Sequence, residues 1–348
     1  MQVARDVFDN LVTIENLMRA WKCFKRGKQQ REDVQYFERY REDFIYKLHK
    51  DLRTDQYQHD GYAHFYTFDP QKRFLSKACV RDRLVHQMLY ADLAMVFEKI
   101  FIFHSFSCRV GKGTHQAIRY LHKSLRQVSR NGKRPCFVLK MDIRRFFDSV
   151  DHQILKQLIA KRVKDRRVLH LIDLVIDSFT SSEAPESAIG LPLGNVTSQL
   201  FANVYLHELD NFVKQTLRQK HYLRYCDDFV IVASQREELE ALIQPIDTFL
   251  QERLRLTLHP KKIILRELRQ GIDYLGYVLF LKHRLLRTRT KRRMKRRLKE
   301  RYVDYLRERI SQGQMDQSLQ SYLGILAHAN TYRLAQSLKN AYWVRDAG

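Results

Sequence analysis

The sequence predicts an α+β fold in which helices surround a small antiparallel sheet. Apolar stretches of strand length occur at 136–143, 222–223 and 229–233, and the last two flank a tight polar pair, as in a hairpin. Amphipathic stretches of helical period precede and follow these strands. The chain has 348 residues, 44% of them hydrophobic, so it is long enough to form more than one core.

The charge of the chain indicates a polyanionic partner. Lysine and arginine outnumber aspartate and glutamate and give a formal net charge of +24. Nucleic acid is the first expectation for such an excess. A basic protein adapted for solubility or for a membrane surface is the alternative. The clustering of the cations, together with the acids described below, favours nucleic acid.

The cysteines and the apolar runs indicate a cytoplasmic protein. No CxxC pair occurs, which predicts reduced thiols without zinc or disulfides at the five scattered positions Cys23, Cys79, Cys108, Cys136 and Cys226. Residues 1–6 contain no apolar signal region, and no apolar run is long enough to span a bilayer. We therefore expect no membrane partner.

Three carboxylates stand at the ends of the predicted strands. Asp227 and Asp228 occupy the hairpin tip, where adjacent like charges repel unless a cation balances them. Asp142 ends the strand at 136–143, so two strand ends can bring three acids to one sheet edge. Mg²⁺ prefers oxygen ligands of this kind, and paired metals suit in-line phosphoryl transfer. For the hairpin alone, a solvated Asp-Asp turn is the alternative.

Two motifs carry a family resemblance. Asp142 is followed five residues later by Phe147, and residues 225–228 read Tyr-Cys-Asp-Asp. Both resemble the catalytic motifs of reverse transcriptases, and the resemblance covers roughly residues 60–340. It implies a right-hand polymerase of the α+β class, with fingers, an antiparallel palm sheet and a helical thumb.

The resemblance also implies the chemistry of the site. A reverse transcriptase adds dNMP to a primer 3′-hydroxyl with two Mg²⁺ ions, for which Mn²⁺ can substitute. The implied catalytic residues are Asp142, Asp227 and Asp228, and the implied metal residues are these three together with Ile143. Phe147 is implied to stack under the sugar of the incoming dNTP and to exclude a 2′-hydroxyl.

We expect four regions along the chain. Residues 1–55 form an N-terminal helical segment, in which two apolar stripes predict two helices. Residues 56–135 form the fingers, and residues 136–280 form the palm, with fingers elements within 151–190. Residues 281–348 form a helical thumb.

The predicted fingers contain an Arg-Asp-Arg run after a strand pattern at 62–68. This run resembles a fingers motif that lies near the template. Arg81 and Arg83 are therefore candidates for nucleic-acid binding. Alternatively, they form salt bridges with Asp82 and Asp92.

A turn rich in glycine and cations spans 106–113 and opens a predicted helix at Thr114. Backbone amides and cations near a helix N-terminus suit a triphosphate. In a reverse transcriptase this motif holds the incoming dNTP. The resemblance therefore assigns dNTP binding to Arg109 and Lys112.

The segment 189–199 is the most diagnostic, and it follows two amphipathic patterns that predict helices at 151–164 and 167–180. Many reverse transcriptases read Pro-Gln-Gly where this chain reads Pro-Leu-Gly and continues Asn-Val-Thr-Ser-Gln. The Gly-Asn-x-x-Ser-Gln form is similar to the enzymes of diversity-generating retroelements. By this resemblance we expect dNTP binding by Leu193, Gly194 and Gln199, and nucleic-acid binding by Ser198.

The predicted palm ends with two further motifs. After a predicted helix at 236–254, residues 258–262 resemble a basic motif whose lysine, here Lys261, assists pyrophosphate departure. A surface lysine is the alternative. Residues 272–277 resemble the primer-grip hairpin, which places Gly276 at the nucleic acid.

The predicted thumb begins with a strongly basic helix. Residues 287–301 contain ten lysines and arginines against one acid, beside a single apolar stripe. A helix that grips the backbone of a duplex is expected to have this composition. The candidate nucleic-acid contacts are Lys291, Arg292, Lys295 and Arg296.

The sequence thus predicts an RNA-directed DNA polymerase that uses template RNA, a DNA or RNA primer and dNTPs. Enzymes of diversity-generating retroelements copy a template-repeat RNA into cDNA with errors opposite adenines, in mutagenic retrohoming. The resemblance also implies a small basic helical accessory protein. One alternative is a group II intron-like or retron reverse transcriptase or maturase. The other is a non-catalytic RNA-binding scaffold, which has no need of three repelling carboxylates.

Overall fold

From residue 7 onward, the N-terminal region contains four helices rather than the two predicted. The computed structural model describes residues 7–68, 73–181 and 187–342. A new helix starts after Thr13, because the hydroxyl of Thr13 accepts a hydrogen bond from the Asn16 amide (3.1 Å). Trp21 is buried at the centre of the region, with its ring 4.7 Å from that of Phe37. The helices are α1 (Phe8–Leu11), α2 (Ile14–Phe24), α3 (Glu32–Arg39) and α4 (Arg41–Arg53).

The next region contains a hairpin followed by two helices. They are β1 (Tyr62–Thr67), β2 (Arg73–Ala78), α5 (Val80–Phe97) and α6 (Thr114–Val128). The predicted strand at 62–68 and the predicted helix start at Thr114 are both present. β2 pairs antiparallel with β1 and was not predicted. Its buried side chains are Ser76 and Ala78, so the sequence shows no alternation of large apolar residues.

The central sheet has four antiparallel strands in the order β4-β5-β3-β6. They are β3 (Phe137–Asp142), β4 (Tyr222–Tyr225), β5 (Asp228–Ala233) and β6 (Ile264–Glu267). The antiparallel sheet and its hairpin are therefore confirmed. The apolar stretches at 136–143 and 229–233 form strands because β-branched and aromatic side chains pack well on a pleated surface.

Helices cover this sheet. They are α7 (Phe146–Ser149), α8 (His152–Ala160), α9 (Arg166–Asp177), α10 (Val196–Asn211), α11 (Arg236–Ala241) and α12 (Ile243–Leu254). A π-helical turn, Phe212–Thr216, extends α10. The pattern at 236–254 predicted one helix, whereas the structure has two, divided at Leu242.

A second sheet and three helices complete the described chain. The sheet has the order β7-β8-β9, with β7 (Ile272–Tyr274), β8 (Tyr277–Leu279) and β9 (Arg284–Leu286). The helices are α13 (Thr288–Leu306), α14 (Gln312–Leu326) and α15 (Tyr332–Tyr342). The hairpin predicted at 272–277 and the basic helix predicted at 287–301 are both present. The division into four regions stays a prediction.

The central sheet separates two apolar cores. Leu139 and Met141 on one face of β3 join the core formed with the N-terminal helices and α10. Val138, on the opposite face, joins the core shared with α6, the second sheet and α13 to α15. Because side chains alternate along a strand, Lys140 and Asp142 lie on the same face as Val138. Among the described helices, none has the length and apolar character needed to cross a membrane.

Candidate active site

Strand register brings the three predicted carboxylates together. β3 and β5 pair so that Asp142 lies directly opposite Asp228. Asp227 precedes Asp228 in the turn, and its carbonyl oxygen accepts a hydrogen bond from the Ile143 amide (3.3 Å). Cys226 has a φ of +58°, the left-handed conformation that a tight hairpin turn requires. The turn thus places both of its acids at the end of β3.

Burial and mutual repulsion raise the pKa values of the acids in the turn. Burial is the main cause that raises the pKa of Asp228 to about 6, against the opposing effect of Lys140. Burial and the negative charge of Asp142 likewise raise the pKa of Asp227. Two ammonium groups partly neutralise the cluster: Nζ of Lys140 lies 3.0 Å from Oδ2 of Asp228, and Nζ of Lys262 lies 2.8 Å from Oδ1 of Asp142.

The donor set of this cluster fits a divalent cation. Oδ1 of Asp228 is buried and has no hydrogen-bond partner among the described residues. A buried oxygen of this kind costs free energy unless a cation or a donor reaches it. Three carboxylates with few competing donors are hard oxygen ligands of the type that Mg²⁺ binds. Asp142, Asp227 and Asp228, with Ile143 alongside, are therefore the residues that would hold the metal.

A buried ion pair supports the turn that contains Cys226, Asp227 and Asp228. Arg224 forms two hydrogen bonds to Asp210 on α10, at 2.8 and 2.7 Å, and both side chains are completely buried. Nη1 of Arg224 donates to the carbonyl oxygen of Cys226 at 3.0 Å. The hydroxyl of Tyr222 donates to Asp210 at 2.7 Å. These contacts connect the turn at Cys226 to the buried helix α10.

The segment around Leu193 links α7 to the β1–β2 hairpin. The Leu191 amide donates to the carbonyl oxygen of Phe147 (2.6 Å), and the Leu193 carbonyl oxygen accepts from the Ser76 amide (3.0 Å). Asn195 is buried, and its side-chain amide donates to the carbonyl oxygen of Ser76 (3.1 Å). Asn195 therefore has a structural role that the sequence did not reveal.

The residues near Leu193 that are predicted to bind dNTP or nucleic acid differ in their exposure to solvent. Leu193 and Phe147 are half-buried, whereas Gly194 and Gln199 are exposed. Gly194 has a φ of +119°, a conformation that side chains with a Cβ rarely adopt. Ser198 is buried, so its predicted contact with nucleic acid requires a backbone approach or a conformational change. These residue roles stay predictions.

The guanidinium of Arg109 is bound to other residues of this chain. Its guanidinium pairs with Glu98 (Nη2 to Oε2, 2.8 Å) and donates to the carbonyl oxygens of Ile102 and Ser105 at 2.7 and 3.0 Å. The Arg109 side chain is only 6% exposed. This arrangement favours a role in holding the loop before α6 over direct contact with a triphosphate. Lys112 lies over the Phe103 ring (3.3 Å from Nζ to the centroid), and its ammonium donates to the carbonyl oxygen of Phe103 (3.0 Å).

The Arg-Asp-Arg run forms ion pairs, as the alternative interpretation predicted. Arg81 pairs with Asp82 (3.3 Å) and also with Asp60 (3.1 Å). Arg83 pairs with Asp33 (3.0 Å), not with Asp82 or Asp92 as that interpretation had it. Arg83 is buried and Arg81 is partly exposed, so Arg81 is the better placed of the two for a template contact.

A second cluster of metal-ligand types lies in this region. Asp60, Cys79 and Asp82 offer ligand atoms within 4.8 Å of one another. The carboxylates of Asp82 and Asp60 already pair with Arg81, and Tyr57 donates to Asp82 at 2.9 Å. The guanidinium of Arg81 therefore already neutralises part of the negative charge of this cluster. It was not among the predicted sites.

The role of Lys261 stays a prediction, and the lysine that contacts the acid cluster is its neighbour. Lys261 is exposed, whereas the neighbouring Lys262 reaches Asp142. Gly276 lies in the β7–β8 turn, where its carbonyl oxygen accepts a hydrogen bond from the Arg287 amide (2.9 Å). On α13, exposed side chains are presented by Arg292, Lys295 and Arg296, while Lys291 is half-buried. The buried stripe of α13 consists of Met294 and Leu298.

Four supporting residues were missed by the sequence analysis. The alternation along β3 gave a signal for Lys140, which stands two residues before Asp142 and hence on the same face. The position of Lys262 depends on a 3₁₀ turn, Pro260–Lys262, that spacing alone does not reveal. Arg224 and Asp210 are 14 residues apart on different elements, so no local pattern indicates their pairing.

A four-stranded antiparallel sheet with three acids at one end, flanked by helices on both sides, defines a right-hand polymerase. The structure of apo telomerase from Candida tropicalis, truncated from the C-terminal domain, has the same fold. It superimposes with a TM-score of 0.50 at 11% sequence identity, over 67% of this chain and 55% of that chain. The family described as Reverse transcriptase (RNA-dependent DNA polymerase) matches residues 68–279. This is more than half of the chain, and the chain belongs to the reverse transcriptase family.

Curated relatives include intron-encoded proteins. An uncharacterised 91 kDa protein in the cob intron of Schizosaccharomyces pombe is 31% identical over 43% of this chain and 18% of its own length. Protein YkfC of Escherichia coli is 25% identical over 63% of this chain and 64% of its own length. The group II intron-encoded protein LtrA of Lactococcus lactis is 22% identical over 56% of this chain and 42% of its own length. This chain therefore spans less than two thirds of each of these relatives.

Proposed function

We propose that this chain is an RNA-directed DNA polymerase that makes cDNA from a template-repeat RNA in a diversity-generating retroelement. The observation that carries the polymerase reaction is the register of β3 and β5, which sets Asp142 opposite Asp228 with Asp227 beside them. Membership of the reverse transcriptase family supports RNA as the template. The proposed substrates are template RNA, a DNA or RNA primer and dNTPs.

The residues of the site have distinct proposed roles. Divalent cations bound by the three aspartates, Mg²⁺ first and Mn²⁺ as a substitute, would lower the pKa of the primer hydroxyl and stabilise the leaving pyrophosphate. Phe147 packs under the sugar. The Lys262 side chain is half exposed, so its ammonium group can leave Asp142 and neutralise the departing pyrophosphate. Lys262 is thus an alternative to Lys261 for the role that the resemblance suggested.

The retroelement type is supported by the residues at 193–199. Leu193 has neither a donor nor an acceptor in its side chain, so it recognises the nascent base pair by shape alone. Recognition by packing discriminates less than recognition by hydrogen bonds. A pocket of this kind is consistent with errors opposite adenine. By the same resemblance, we propose a small basic helical accessory protein as partner and a cytoplasmic location.

A group II intron-like reverse transcriptase is the second candidate. Of the relatives reported above, one is a group II intron-encoded protein and another is a protein in the cob intron, which favours this candidate on sequence similarity. Both candidates use the same polymerase site. They differ in the RNA that is copied and in the errors that are made.

Primer extension on an RNA template with dNTPs and Mg²⁺ tests the polymerase reaction. The non-catalytic scaffold would give no extension, whereas the polymerase would give extension that Asp227→Asn abolishes. The neighbouring DNA then distinguishes the two enzymes. A near-identical repeat pair that differs at adenines supports the retroelement, and a flanking intron supports the second candidate.

A further inference from the structure

A cleft lies at the end of β3 opposite to the catalytic acids. It has a volume of about 600 Å³ and is formed by the turn between α6 and β3, the end of β6 and the turn between β8 and β9. Cys136, just before β3, lines it, whereas Asp142 ends β3. Six residues of strand span about 20 Å, so the cleft is separate from the polymerase site. Its volume suits a ligand of nucleotide size and is too small for a duplex.

The lining of this cleft is strongly basic. Four permanent cations, Lys133, Arg134, Arg269 and Lys282, face a single carboxylate, that of Glu267. Arg269 pairs with Glu267 at 2.5 Å, which leaves the other three cations without a carboxylate partner among the described residues. All three are exposed. A concave surface with unbalanced positive charge attracts a polyanion.

The cleft also contains an aromatic platform held in a fixed position. The rings of Phe280 and His283 stack with centroids 4.7 Å apart and planes 18° apart. Nε2 of His122 on α6 lies 3.1 Å from the carbonyl oxygen of Phe280 and fastens the β8–β9 turn to α6. Gly132, with a φ of +91°, allows this turn to approach closely, because a Cβ there would lie 2.6 Å from the Leu281 side chain.

We propose that this cleft binds a single-stranded segment of RNA. Lys133, Arg134 and Lys282 contact phosphates, and a base stacks on His283, which is exposed. Cations that follow a backbone, with an aromatic ring for a base, form the usual surface for single-stranded nucleic acid. The proposal goes beyond the polymerase reaction, since RNA bound here lies outside the catalytic site. The choice of RNA rests on the proposed function.

Fluorescence anisotropy tests the cleft without catalysis. The full chain is first saturated with an unlabelled primer–template duplex and then titrated with a labelled ten-nucleotide RNA, without dNTPs. In Lys133→Glu/Lys282→Glu we expect binding to weaken about tenfold at 0.1 M salt, with a shallower salt slope, because each phosphate contact of a single strand contributes about 0.7 to that slope. His283→Ala should weaken binding several-fold with the salt slope unchanged, since stacking does not release counterions.

The matched control is Lys47→Glu/Lys50→Glu, which reverses two exposed lysines on α4 and changes the net charge equally. The control should keep the affinity of the parent. Equal weakening in both double variants, or competition by polyglutamate as strong as by RNA, overturns the proposal in favour of unselective charge attraction. Tighter binding of a DNA strand of the same sequence overturns the choice of RNA. Absence of primer extension with intact cleft binding counts against the proposed function alone.

Discussion

Arg224 and Asp210 form a completely buried ion pair next to the turn that carries the candidate catalytic acids Asp227 and Asp228. Two hydrogen bonds join the guanidinium to the carboxylate, and a third joins Arg224 to the carbonyl oxygen of Cys226. Cys226 is in the left-handed conformation, and its orientation sets the positions of Asp227 and Asp228. The geometry of the site therefore depends on two residues that need not touch a substrate.

Removing one partner of this pair should destabilise the protein strongly. In Asp210→Ala the guanidinium of Arg224 remains buried without its counter-charge, which costs about 3–5 kcal/mol of unfolding free energy. Tyr222→Phe removes one hydrogen bond from the same network and should cost only about 1 kcal/mol. Urea denaturation of both variants measures the two values. Equal stability losses would show that the pair is not the main support of the turn.

Asp227→Asn should reduce dNTP incorporation by several orders of magnitude while the fold stays intact. A neutral amide removes one charged ligand and, with it, stabilisation of the transition state. The substitution also relieves the repulsion from Asp142 that raises the pKa of Asp227, so the melting temperature should not fall. Single-turnover primer extension and thermal denaturation test the two effects. Near-normal extension by the folded variant would contradict the metal assignment.

Phe147→Ala should increase the use of rNTPs relative to dNTPs. The Phe147 ring is half-buried beside Phe146, with centroids 5.3 Å apart, and its loss opens space next to the proposed sugar position. The ratio of kcat/KM for dNTP and rNTP is the measurement. Phe147→Tyr, which keeps the ring, is the control and should keep the selectivity. An unchanged ratio in the alanine variant would identify Phe147 as a packing residue.

Leu193→Gln should lower misincorporation opposite template adenine more than opposite the other bases. Glutamine adds hydrogen-bonding groups at a position where we propose that leucine discriminates by packing, which is worth about 1–3 kcal/mol per methylene. Single-nucleotide insertion with each of four template bases, in parent and variant, gives the error ratios. Leu193→Met keeps an apolar side chain of similar volume and should retain the errors of the parent. If the error ratio opposite adenine is the same in Leu193→Gln and in the parent, while correct insertion stays intact, Leu193 is not a cause of low fidelity.

Neutralising the basic side chains of α13 should weaken duplex binding equally at all sequences. The variant replaces Lys291, Arg292, Lys295 and Arg296 by glutamine. Each phosphate contact that is lost reduces the salt slope for a duplex by about 0.9. Anisotropy measurements over a range of salt concentrations provide this slope. A slope equal to that of the parent would mean that these side chains do not contact the phosphate backbone.

Local sequence patterns were sufficient to predict most of the helices and strands discussed above. The apolar runs at 136–143 and 229–233 predicted β3 and β5, because a buried strand needs continuous apolar character. The composition of 287–301 predicted α13, since one apolar stripe on a basic helix indicates a single buried face. Boundaries were less certain where no cap or glycine marks an end. The division of 236–254 into α11 and α12 is an example.

By itself, the sequence determined the class of the sheet, the three carboxylates at its strand ends and the family resemblance, because these depend on residue type and local spacing. The tertiary structure alone decided the partners of each charge. It paired Asp142 with Lys262, Arg109 with Glu98, and Arg224 with Asp210 in the interior. Such pairings join residues that are distant in the chain. Their energies depend on burial and on distances of a few ångströms, which are properties of the folded chain and not of any segment.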